Sequence, residues 1–211
     1  AALMRRITFW FDVVSPFACL AFHRLPQELV GLSYEVAYRP LRRAGLRERW
    51  GHGTSAELAP RGVWTLRHAH WTAQRHGIAL CTPARLPFEP DALLRLALAC
   101  GPNRRVVEAV FAHVWRAGGD PCDASRLATL TAQLAPRRDP AGAAIGAELH
   151  AATDEAIGRG VFDVPSFELD GRLFWGLDAL PMLRAALAGE AWFDGPDWAN
   201  AGAPPPPAAR G

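Results

Sequence analysis

Lysine is missing from this chain: all 23 basic side chains among its 211 residues are arginine. Schiff-base chemistry and a lysine general base are thereby excluded, and permanently charged guanidinium groups remain as anion clamps. An excess of one charge is missing too. The carboxylates number 21 and the net charge is +2, which gives no general electrostatic drive toward nucleic acid or an acidic membrane surface. Cysteine is confined to Cys19, Cys81, Cys100 and Cys122, with no short pairing motif. Neither a disulfide framework nor a Cys-x-x-Cys redox centre is written here. A chain this long, half of it hydrophobic, needs no such framework to hold its core, and the spacing reads as that of a reduced, cytoplasmic protein. No apolar run reaches the roughly 20 residues that span a bilayer. After Arg5 and Arg6 the chain alternates like a strand instead of forming a signal-peptide core.

What is present begins with a strand, a tight turn and a helix. Residues 6–12 place Ile7, Phe9 and Phe11 on one face and Thr8 and Trp10 on the other, which predicts a buried strand. Ser15-Pro16 then starts a helix, serine at the N-cap and proline at the first helical position. Leu20, Ala21, Leu25 and Leu29 carry it toward Gly31, with Pro26 expected to kink or shorten it. Residues 32–38 predict a second strand, parallel to the first because a helix joins them. From 42 to 149 the chain is arginine- and alanine-rich with helical periodicity. Its clearest helices are 61–76, 90–100, 103–117 and 124–134, and 141–158 leads back toward the sheet. Residues 166–170 and 172–175 predict a hairpin turning at Asp170-Gly171, and 179–187 a last helix opened by Asp178. The order βαβ, helical insert, αββα is that of a thioredoxin-like α/β fold with an all-helical insertion domain. Residues 1–41 and 150–195 form the sheet domain and 42–149 the insert, while 196–211 read as a proline- and alanine-rich flexible tail.

Ser15-Pro16-Phe17-Ala18 has the shape of a thioredoxin-fold active site with serine and alanine where the two cysteines would stand. Dithiol–disulfide exchange is excluded; binding a thiol from another molecule is not. The Ser15 hydroxyl reads either as an N-cap alone or as a donor to a bound thiolate. In the second case the helix N-terminus adds partial positive charge and free N–H groups that draw a thiol pKa toward neutrality. No His–Asp pair is placed to make Ser15 a hydrolase nucleophile. Val164-Pro165 reads as a proline opening a strand, or as a cis proline facing Ser15. In the cis geometry Val164 turns free N–H and C=O groups toward a peptide ligand. Asp178 is an N-cap, an acceptor for a ligand ammonium group, or both. Trp64, His68 and Trp71 share one helical face by their spacing of four and three. That face is core, or else a flat aromatic pocket beside Ser15 that Phe17 would join. His68 and His70 point apart at i and i+2, so no metal site is expected. Cys19 is expected to be a buried small apolar residue.

The run Phe-x-Phe-Asp-x-x-Ser-Pro-Phe-x-x-Leu-Ala, met at positions 9–21, resembles the 2-hydroxychromene-2-carboxylate isomerases and the related kappa-class glutathione transferases. The resemblance extends to Gly-Val-Phe-x-Val-Pro-Ser-Phe and Leu-Phe-Trp-Gly-x-Asp-x-Leu within 160–180. It implies a glutathione cofactor: Ser15 at the sulfur, Val164 and Pro165 at the cysteinyl backbone, Asp178 at the γ-glutamyl amine. Arg61 stands where the family usually places a lysine for the glycyl carboxylate, and a guanidinium can serve by bidentate pairing. Ala179 replaces a common arginine, and Trp64 and His68 replace a Tyr-x-x-x-Asp pattern. The implied reaction is isomerisation of a conjugated aromatic keto acid. The alternatives are a kappa-type transferase and a non-catalytic glutathione or peptide binder. A homodimer is compatible with the family.

Overall fold

The computed structural model describes residues 4–51 and 59–204. At its centre lies β1 (Arg5–Phe11), whose alternation divides its side chains between two cores. Ile7, Phe9 and Phe11 enter the larger one, while Trp10 joins Leu41, Leu46, Ala156, Val161 and Val164 on the opposite face. β1 pairs in parallel with β2 (Tyr34–Pro40) through the crossover helix α1 (Pro16–Glu28). On its other side it pairs antiparallel with β3 (Ser166–Leu169), which pairs antiparallel with β4 (Arg172–Trp175). The strand order is therefore β2-β1-β3-β4. Phe9 stacks on its register partner Phe167 with ring centroids 4.8 Å apart, a cross-strand pair that pins the register. Asp170 and Gly171 turn the hairpin with φ of 51° and 76°, the two positive angles that an Asp-Gly turn supplies.

Between β2 and β3 run α2 (Arg43–Trp50), α3 (Ala59–Arg75), α4 (Asp91–Cys100), α5 (Arg104–Trp115), α6 (Ala124–Leu134) and α7 (Ala143–Gly158). Asn103 caps α5 and Asp123 caps α6 through their side-chain oxygens. The insert shares the core of the sheet: Phe111 of α5 lies 5.5 Å from Phe11 and 5.6 Å from Phe22 between ring centroids. α8 (Leu180–Leu187) and α9 (Pro196–Ala201) complete the order.

The elements, their boundaries and caps depart from the sequence expectations in five places. α2 was not foreseen, because its arginine-rich stretch buries only Leu46 and so shows no apolar stripe. β2 lies two residues later than expected and ends on Pro40, tolerated because β2 is an edge strand. α1 runs through Pro26 but stops at Glu28, short of Gly31. Asp178 does not cap the last helix: Leu177–Ala179 form a 3-10 turn and α8 begins at Leu180 without a side-chain cap. Helix α9 occupies the start of the segment read as a flexible tail; Trp198 packs against Phe174, Trp192 and Phe193, which is what holds it. Residues 205–211 lie outside the described residues.

Candidate active site

The sheet register brings the candidate residues to one end of the molecule. Trp10 pairs with Ser166, so the turn that follows β1 and the bend that precedes β3 emerge side by side. Ser15 sits in that turn, buried, as the N-cap of α1, and its Oγ accepts the Ala18 N–H at 3.2 Å. The cap uses the oxygen, so the hydroxyl proton remains available to an acceptor. The turn is held from behind by the insert: Trp115, fully buried, donates its indole N–H to the Val13 carbonyl at 2.8 Å. Ala69 and Ala73 of α3 pack with Leu20 on the neighbouring side of α1.

The Val164–Pro165 bond is cis, as the second of the two sequence readings has it. The Val164 N–H, however, is not free as expected. It donates to Asp163 Oδ1 at 2.9 Å, and the bend is pinned further by Ser166 Oγ donating to the Asp163 carbonyl at 2.6 Å. The physical reason is the carboxylate one residue upstream, which lies within reach of its neighbour's amide. Asp163 is held in turn by Arg43, whose Nε donates to Oδ1 at 2.6 Å and Nη2 to Oδ2 at 2.8 Å, a bidentate pair.

Arg43 also connects back to β1. Its backbone N–H donates to Asp12 Oδ2 at 2.7 Å, and Asp12 Oδ1 accepts the Val14 N–H at 3.2 Å. Burial pushes the Asp12 carboxyl up to about 6, against the pull of those N–H donors and the Arg43 charge. Asp12, Arg43 and Asp163 thus brace the Ser15 turn against the Val164–Pro165 bend. Sequence reasoning missed this brace. Two of its members stood in the recognised motifs, but Arg43 opens the unforeseen helix α2.

Asp178 is exposed, on a turn anchored to the bend by the Gly176 N–H, which donates to the Pro165 carbonyl at 3.0 Å. Arg61 is exposed at the start of α3. Its charge, with that of Arg43, helps hold the pKa of partly buried Arg47 below the usual arginine value, after burial itself. Arg47 and Arg61 thus lie within electrostatic reach of the Arg43–Asp163 pair, and the Asp163 and Asp12 carboxylates pull the Arg47 pKa the other way; Arg47 went unnoticed in the sequence. The Trp64–His68–Trp71 stripe is not core. Trp64 is 64% and Trp71 60% exposed, and the file continues from α3 onto Phe17, whose ring lies 5.0 Å from that of His68. Trp64 and His68 stack at 5.8 Å, and Trp71 follows at 6.5 Å. Cys19 is buried, and burial pushes its thiol up to about 12, which leaves it no nucleophilic role. Among the described residues no cluster of His, Cys, Asp and Glu is placed to hold a metal ion, and no helix is long and apolar enough to cross a membrane.

Residues 6–188 match the DSBA-like thioredoxin domain, most of the chain's length. The chain belongs to that family. Within the DSBA-like family it is similar to two proteins named 2-hydroxychromene-2-carboxylate isomerase. One, from Sphingobium xenophagum, is 26% identical over 197 residues, covering 88% of this chain and 99% of the relative. The other, from Pseudomonas sp. strain C18, is 28% identical over 193 residues, covering 87% and 90%. A solved 2-hydroxychromene-2-carboxylate isomerase superposes with a TM-score of 0.75 at 25% identity, covering 94% of this chain and all of that one. The cytosolic disulfide reductase DsbM of Pseudomonas aeruginosa, solved with GSH, shares the fold with a TM-score of 0.55 at 15% identity, over 87% of this chain and 99% of DsbM.

Proposed function

We propose that the protein is a glutathione-dependent isomerase of 2-hydroxychromene-2-carboxylate or a similar conjugated aromatic keto acid. The observation that carries this reading is the Ser15 hydroxyl. It is buried at the N-terminus of α1 with its proton left to donate, beside the Val164–Pro165 bend, and neither cysteine position holds a thiol. Relatives bearing the isomerase name, matched over nearly their whole length, support it. All four cysteines are free, in keeping with a cytoplasmic, glutathione-rich setting.

When bound, glutathione would supply a thiolate, a nucleophile capable of reversible addition to an activated alkene carbon, and would not be consumed. The chain's own groups make that chemistry possible. The Ser15 hydroxyl and the Phe17 N–H at the start of α1 would hold the negative charge of the sulfur. Val164 offers its peptide group to the cysteinyl backbone, and Asp178, exposed on its turn, takes the ammonium group. Arg61, exposed at the start of α3, is the cation placed to receive a carboxylate, since Arg43 is already paired with Asp163. The file of Phe17, His68, Trp64 and Trp71 gives the ring of the substrate a stacking surface that begins two residues from Ser15.

The test is an absorbance assay with 2-hydroxychromene-2-carboxylate, with and without glutathione, for the wild type and Ser15→Ala. Turnover should require glutathione, and the variant should lose about 100- to 1,000-fold in kcat. Loss of the cap should also cost about 1 kcal/mol of stability. Turnover without glutathione, or a variant as fast as the wild type, overturns the reading. Accumulation of a stable thioether points instead to a transferase.

A further inference from the structure

We infer that Asp163 competes with the thiol ligand for the Val164 N–H and so sets the affinity of the site for glutathione; the inference rests on the glutathione reading above. Asp163 is buried, 7% exposed, and its Oδ1 serves two donors at once, Val164 N–H at 2.9 Å and Arg43 Nε at 2.6 Å. Oδ2 is engaged by Arg43 Nη2 at 2.8 Å. Arg43 does not drift with its partner, because its backbone N–H is tied to Asp12 at 2.7 Å. The carboxylate is therefore fixed where it caps the one amide that strand-like pairing with a peptide would use.

The exchange has a simple balance. A ligand carbonyl that takes the Val164 N–H displaces one acceptor and supplies another. Asp163 keeps both bonds to Arg43, so its charge stays paired. What binding forfeits is one N–H bond to a carboxylate, and what it gains is one N–H bond to a neutral carbonyl, the weaker of the two. The difference weakens binding at this contact without touching the sulfur, the ammonium group or the aromatic surface. A side chain without an acceptor at position 163 would leave the N–H to the ligand.

The experiment measures binding, not turnover. S-methylglutathione is titrated by calorimetry into the wild type, Asp163→Ala, Asp163→Asn, and the double variant Arg43→Met/Asp163→Ala, which removes the charge pair as a unit should the single variant fold poorly. Asp163→Ala should bind about five- to tenfold more tightly than the wild type. Asp163→Asn, which keeps an oxygen for the Val164 N–H, should gain less than Asp163→Ala. In the wild type labelled with ¹³C and ¹⁵N, titration should shift both the Val164 amide proton and the Asp163 carboxyl carbon. A well-folded Asp163→Ala or double variant that binds no more tightly, or a titration that leaves both signals in place while heat of binding is seen, overturns the inference alone. Absence of binding by every form, wild type included, overturns the glutathione reading and this inference with it.

Discussion

Asp12 shows how a single residue is kept against its own solvation preference. Its two oxygens each accept a backbone N–H, from Val14 and from Arg43. Asparagine would turn an NH₂ group toward one of those donors, so only a carboxylate fits both. The consequence is a pH dependence with a definite sign. The carboxyl sits at about 6 in the folded protein, raised from 3.8 by burial, so the folded state holds its proton over a range where the unfolded state has lost it. The stability this group contributes is fully present below about pH 4 and is lost as the pH rises through about 6, a change of about 3 kcal/mol. The Asp12 carboxyl ¹³C signal should titrate with a midpoint near 6, and a midpoint near 4 would defeat the assignment. Ser15, three residues on, is a residue whose meaning was half legible. The Ser-Pro pair announced the cap, and the cap is there. Its neighbour across the cleft was readable only in part: the motif pointed to the bend at Pro165, but not to the Asp163 carboxylate on the Val164 amide. That contact depends on a partner, Arg43, 120 positions away.

At the scale of elements, those with a strong apolar period were legible, and those defined by their neighbours were not. β1, α6 and the Asp170-Gly171 hairpin fall within a residue or two of expectation because local chemistry alone specifies them. α2 has no such period; what defines it is packing, with Leu46 in the smaller core and Gly45 so near α7 that a Cβ would lie 2.8 Å from Thr153 Cγ2. The 3-10 turn after β4 is of the same kind. It exists because Gly176 has φ 96° and ψ 163°, a region open to glycine and almost nothing else. A Cβ there would also lie 2.6 Å from Asp178 Oδ1. Gly176→Ala should therefore cost about 1–3 kcal/mol of stability. Because it displaces Asp178, it should also raise the KM for glutathione about threefold or more while leaving kcat within about twofold. Thermal unfolding and steady-state kinetics check the two effects separately. A KM that stays put would remove Asp178 from the ligand site.

At the scale of the whole molecule, the question is what closes the open edge of the sheet. β4 is the last strand, and the core face it shares with β3 is covered from the far end of the chain. Phe174 is 2% exposed because Phe193 lies 6.0 Å and Trp198 6.2 Å away between ring centroids, and Trp192 stands edge-on to both of those. Arg172 of β4 pairs with Asp194, in the segment between β4 and α9, at 2.6 Å. The proline- and alanine-rich composition read over 196–211 hid this lid, since it averages over the one residue there that matters, Trp198. Were the segment after Gly195 a loose tail, replacing Trp198 would leave stability unchanged. With the lid in place, Trp198→Ala uncovers part of Phe174 and Phe193 and opens a gap beside them. Trp198 is only partly buried, so the loss should fall below that of a fully enclosed tryptophan, at about 1.5–2.5 kcal/mol. For a chain of this length that corresponds to a melting temperature lower by roughly 3–10 °C. Intrinsic fluorescence adds a second readout, because the emission of Trp192 should move to longer wavelength as its partner is lost. A variant that melts with the wild type would restore the flexible tail and leave the cover of β4 unexplained.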